Sequence, residues 1–116
     1  MNIEKRRLPR KRPDVALQVT DAITGEVVGR LGNVSMDGMM LVASTKIVED
    51  GLYQFAFNLP DAHGRLHPIE VGVHESWMEA PSMQNQIWAG FRFIDISATD
   101  ERMLREWLVH AEDFPG

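Results

Sequence analysis

The chain has 116 residues, of which 44% are hydrophobic and 25% charged, and it contains no cysteine. That is the length and composition of one globular domain, and it excludes disulfides and thiolate metal sites. No apolar run approaches the roughly 18 residues needed to span a bilayer. No apolar segment follows the basic start, so neither membrane insertion nor a secretory leader is expected, and the expected location is cytoplasmic.

Charge is unevenly spread. Residues 1–12 carry Lys5, Arg6, Arg7, Arg10, Lys11 and Arg12 against Glu4, a net of +5, while the other 104 residues hold 6 basic and 16 acidic side chains, a net of -10. A basic arm on an acidic body points to an anionic partner at the arm. The body would repel a polyanion, so no DNA or RNA partner is expected.

In chain order, residues 1–12 show no hydrophobic periodicity, and Pro9 and Pro13 oppose a helix. The stretch reads either as a flexible ligand-gripping arm or as an ordinary solvated terminus. Val15, Leu17 and Val19 alternate with polar or small residues, the period of a half-buried strand. Thr24-Gly25 marks a turn, Glu26 to Leu31 a second strand, and Asn33 to Gly38 a polar turn. The apolar run Met39 to Ala43 follows, then an Asp50-Gly51 turn.

Tyr53, Phe55, Phe57 and Leu59 alternate, Pro60 to Pro68 reads as a loop, and Ile69, Val71 and Val73 alternate again with Trp77 on the same parity. After a polar stretch at 81–86, Ile87, Ala89, Phe91 and Phe93 form the last alternation. Ser97 with Asp100 three residues on has the pattern of a helix N-cap. Met103, Leu104, Trp107, Leu108 and Ala111 then fall at helical spacing, predicting a helix of about three turns. Six or so short strands and one helix predict a mainly β domain, a small barrel or sandwich.

Two motifs carry chemistry. Arg6 and Arg10 stand in an R-x-x-x-R arrangement, and guanidinium groups offer paired donors to phosphate and stack on flat bases. Asn33, Ser35 and Gly38 form N-x-S-x-x-G: an amide that donates and accepts, a hydroxyl, and a glycine that permits unusual backbone angles or close approach. Taken alone, the second motif is equally a hairpin turn around Asp37-Gly38.

Other candidates are weaker. His63 and His67, with Asp61 nearby, have metal-like spacing, but Gly64 and Pro68 argue for a loop without the necessary geometry, so no metal site is expected. Trp88 and Arg92 share the parity opposite to Phe91 and Phe93, which makes them either an outward patch for a partner or plain surface. No nucleophile–base constellation or phosphate-cradling loop is visible, so no enzyme is expected.

Together, the two motifs at this spacing resemble the signature pair of the PilZ family, and the resemblance covers nearly the whole chain. Gly90 to Ser97 also looks like the family's last-strand ending, followed by a helix in the expected place. The resemblance implies a six-stranded antiparallel β-barrel over residues 13–116 with a C-terminal helix, preceded by the arm at 1–12. It implies a receptor for the bacterial second messenger cyclic di-GMP, of the kind that regulates motility or biofilm formation, with no cofactor.

By the same resemblance, Arg6 and Arg10 grip phosphate and guanine, and Asn33, Ser35 and Gly38 face the other side of the ligand. Arg7 either adds a phosphate contact or faces solvent. Lys5 stands where many members that hold a ligand dimer have another arginine, and lysine lacks the planar fork. Trp77 is either a guanine-facing aromatic or a core or barrel-edge residue. Arm closure would present a new surface to an effector protein. Two alternatives differ in class: an interaction module that does not bind nucleotide, and a small barrel for single-stranded nucleic acid, which the acidic body disfavours.

Overall fold

Alternating apolar residues fold into six strands: β1 (Gln18–Asp21), β2 (Val27–Val34), β3 (Gly38–Ala43), β4 (Leu52–Pro60), β5 (Leu66–Glu79) and β6 (Ile87–Ile96). One helix, α1 (Ala98–Asp113), follows β6 among the described residues. The computed structural model describes residues 10–80 and 86–113. All strand pairs are antiparallel, and the sheet closes in the order β1-β2-β3-β6-β5-β4, so the barrel has no open side.

The inward side chains fill the barrel. Val19, Leu31, Val34, Met39, Leu41, Phe55, Leu59, Val71, Val73 and Ala89 are fully or almost fully buried. Phe55 and Phe91 meet edge to face at 4.9 Å, and Tyr53 stacks on Phe55 at 5.3 Å. Burying a large apolar side chain contributes about 1.5–3 kcal/mol, so this interior is the main source of stability.

The helix closes one end. Ser97 caps it, its hydroxyl accepting from the Asp100 N–H at 3.0 Å. Leu104, Trp107 and Leu108 are buried against the barrel. Asp100 turns its carboxylate to the Glu70 N–H at 3.0 Å, fastening the first turn of α1 to β5. At 16 residues, α1 is longer than the three turns expected.

Several boundaries differ from the sequence expectation. Val15 is 63% exposed and precedes β1, so the first strand is shorter than its alternation suggested. The loop expected at 60–68 shrinks to 61–65, because Pro60 and Leu66 already pair. Pro68 is tolerated inside β5 because β5 pairs with β6 only from Val71 onward among the described residues, so the proline faces no second ladder. Asp61 organises the short turn: its carboxylate accepts from the His63 and Arg65 N–H groups and meets His67 Nε2 at 2.8 Å.

The expected turn at 33–38 is also shorter. Asn33 ends within β2 and Gly38 begins β3, leaving three residues between the strands.

Candidate cleft on the outer barrel face

A cleft of about 540 Å³ opens on the outer face of β2, β3, β5 and β6. Arg10, Asn33, Asp37, Gly38, Ser76, Trp77, Trp88, Gly90 and Arg92 are among its lining residues. Two β-bulges aim side chains into it.

In β2, Leu31 pairs with Leu41 but Asn33 pairs with Met40, so Gly32 is the extra residue. Leu31 points into the core, and the bulge turns Asn33 outward where strict alternation would have buried it. In β5, Glu75 pairs with Phe91 but Trp77 pairs with Gly90, so Ser76 is the extra residue. Trp77 therefore leaves the parity of Val71 and Val73 and stands 46% exposed on the outer face. The core role weighed for Trp77 from its parity is thus excluded by the bulge.

The cleft's glycines have packing reasons. A Cβ on Gly90 would collide with the Trp77 indole, which lies directly over it. A Cβ on Gly38 would collide with the Phe91 carbonyl. Gly38 is therefore required by the close approach of β3 to β6, not by a left-handed backbone angle.

Arg10 enters from the arm. Its Nη1 donates to Asn33 Oδ1 at 2.5 Å. Ser35, expected among the ligand contacts, is fully buried and does not line the cleft. Its hydroxyl donates to Asp37 Oδ1 at 2.5 Å, and its N–H donates to the Gly38 carbonyl at 2.9 Å. The Asp37 carbonyl accepts from the Phe93 N–H at 2.9 Å, tying this turn to β6. Ser35 thus shapes the turn that presents Asn33 and Asp37 on either side of it. Lys5, Arg6 and Arg7 lie outside the described residues.

Also at the cleft, Arg92 Nη2 lies 3.3 Å from His74 Nδ1, and His74 Nε2 lies 2.6 Å from Asp50 Oδ1. A guanidinium only donates, so Nδ1 accepts and the ring proton sits on Nε2, facing the carboxylate. Asp50 adopts a left-handed φ of 63° and donates its N–H to Glu75 Oε1 at 2.6 Å. This chain of contacts holds the Arg92 guanidinium at the cleft. Arg92, Trp88 and Asp37 were not among the expected ligand residues. The outward parity of Trp88 and Arg92 was the available signal, but it gave no direction toward a shared pocket.

The arrangement offers two guanidinium groups for phosphate or for stacking, two indoles for planar faces, and an amide and a carboxylate for base edges. Among the described residues, no group of three or more His, Asp or Glu side chains is placed to hold a metal ion.

The family model of the PilZ domain matches residues 4–110. The chain belongs to the PilZ family. Its closed six-stranded barrel with one C-terminal helix is the PilZ architecture. Solved structures share the fold, among them the following three. The Bacillus subtilis inhibitor of motility MotI/DgrA superposes with a TM-score of 0.75 at 14% identity, covering 92% of this chain and 51% of that one. The PilZ domain of Escherichia coli YcgR with c-di-GMP gives 0.69 at 19% identity, covering 94% and 92%. The YcgR complex with c-di-GMP from the same organism gives 0.70 at 20% identity, covering 94% and 46%. The chain thus spans about half the length of MotI and of that YcgR chain. No curated protein matches it in sequence.

Proposed function

We propose that this PilZ domain is a cyclic di-GMP receptor and that the outer cleft is its ligand site. The supporting observation is the Arg10–Asn33 contact: one residue from each motif meets the other at the mouth of a cleft that also holds Trp77 and Arg92. The cleft's volume falls within the range of small-molecule sites. Two of the structures that share its fold are of YcgR with c-di-GMP.

In this reading, Arg10 keeps its bond to Asn33 and turns its remaining guanidinium N–H groups to a ligand phosphate or guanine, and Arg6 supplies the second guanidinium of the motif. Lys5 and Arg7 add positive charge beside them. Asn33 and Asp37 accept or donate at a guanine edge, Trp77 stacks on a base, and Arg92 meets the far phosphate. Ser35 and Gly38 hold the turn and the strand crossing that place these groups. Ordering the arm costs conformational entropy, which charge-assisted bonds offset. The closed arm then forms a surface read by an effector protein, so the domain works as an adaptor in the cytoplasm and not as an enzyme.

Calorimetric titration with cyclic di-GMP, using GMP and cyclic AMP as controls, tests the proposal. Saturable heat selective for the dinucleotide is expected. Absence of heat at high ligand concentration would favour the interaction-module reading.

A further inference from the structure

Lys11 follows Arg10 in sequence and faces a different element. Its N–H donates to the Val34 carbonyl at 2.9 Å, and its carbonyl accepts from the Val34 N–H at 3.0 Å, an isolated antiparallel bridge next to Asn33. Its ammonium lies 3.9 Å from the ring centroid of Trp107 and donates to the Trp107 carbonyl at 3.3 Å. Trp107 is buried in α1 against the barrel end. One residue therefore ties the root of the arm to both β2 and α1.

The contact has the character of a built clasp. Burial lowers the pKa of the Lys11 ammonium, and Asp14 nearby opposes that shift. A partly dehydrated cation over an indole is held more firmly than an exposed one. Because the bridge fixes the backbone one residue after Arg10, it also limits where the Arg10 guanidinium can reach.

We infer that Lys11 is a positioning residue for ligand binding: by clasping Trp107 of α1 while bridging Val34, it holds Arg10 opposite Asn33 at the cleft. The helix at the barrel end thereby becomes part of the ligand site at one remove. This inference rests on the receptor reading above. It assigns Lys11 no contact with the ligand, and its effect passes through the Arg10–Asn33 pair.

The test is a calorimetric double-mutant cycle with cyclic di-GMP, using wild type, Lys11→Met, Lys11→Arg, Asn33→Ala and Lys11→Met/Asn33→Ala, each checked for a cooperative thermal transition. Lys11→Met is expected to weaken binding roughly tenfold, the range of a partly dehydrated cation–π contact. Lys11→Arg, which keeps both the cation–π contact and a donor for the carbonyl, restores most of it. In the Asn33→Ala background, Lys11→Met costs little more, because the pair it positions is already broken. Losses that multiply independently, or an arginine no better than methionine, would overturn the inference while leaving the receptor reading intact. A wild-type protein that takes up no cyclic di-GMP overturns both.

Discussion

The Trp77 indole occupies the space above Gly90 where any other residue would carry its Cβ. The pair spans the β5–β6 ladder, and the glycine lets the ring lie flat as part of the cleft floor. Gly90→Ala is expected to lift the indole and weaken cyclic di-GMP binding roughly tenfold, the scale of one base–aromatic stack. Trp77→Ala should lose a similar amount, and the double variant little more. Calorimetry on the three proteins checks this, and full independence of the two losses would separate Trp77 from the ligand.

Ser35 acts inside the turn. Ser35→Ala removes the hydroxyl bond to Asp37 from a fully buried site. A loss of about 1 kcal/mol in stability is expected, read as a lower urea midpoint at unchanged slope. Ligand affinity should fall as well, because the turn no longer fixes Asp37. An unchanged midpoint would show that the turn holds without it.

Much of the barrel was legible because alternation is a physical signature of half-buried strands. Val19, Phe55, Phe57, Leu59, Ile69, Val71 and Val73 are buried as their parity implied. The N-cap at Ser97 and the apolar stripe Leu104–Trp107–Leu108 likewise read directly as a docked helix.

The cleft was harder to read, since Asn33 and Trp77 face it only because of bulges at Gly32 and Ser76. A bulge inverts parity, and neither residue announces one in sequence. By spacing, Trp77 thus shares the parity of the core strands, and Arg92 reads as an outward patch or plain surface with no pocket to join. The loop at 61–65 was overestimated because prolines at 60 and 68 suggest irregular chain, while the paired positions show that both fit within strands. The arm residues Lys5, Arg6 and Arg7 lie outside the described residues.

Arg92 is held toward the cleft by His74. Arg92→Gln removes the charge from an exposed position, so stability should change by less than about 0.5 kcal/mol. Affinity for cyclic di-GMP should fall roughly tenfold, the scale of a charge-assisted hydrogen bond. Equal affinity in calorimetry would place Arg92 outside the ligand contacts.

Asp61 gives a pH signature. Its carboxyl pKa is lowered to about 2, first by the hydrogen bond with His67 and further by the His63 and Arg65 N–H groups, against an opposing desolvation effect. A carboxyl with a depressed folded-state pKa contributes stability that is present above its ordinary pKa, about 4, and lost as pH falls through the folded value. Wild type should therefore exceed Asp61→Asn in melting temperature at pH 5, and the gap should close between about pH 4 and pH 2. A gap constant across that window would show that the turn does not depend on the charge.

The most direct test of the central claim is a heteronuclear NMR titration with cyclic di-GMP that follows the indole N–H signals of Trp77 and Trp88. Both side chains line the outer cleft, Trp77 over Gly90 and Trp88 two residues before that glycine in β6. The account predicts that both signals move in saturable fashion with one shared dissociation constant. Saturable binding elsewhere on the protein with these two indoles unmoved would contradict it and place the ligand outside the cleft.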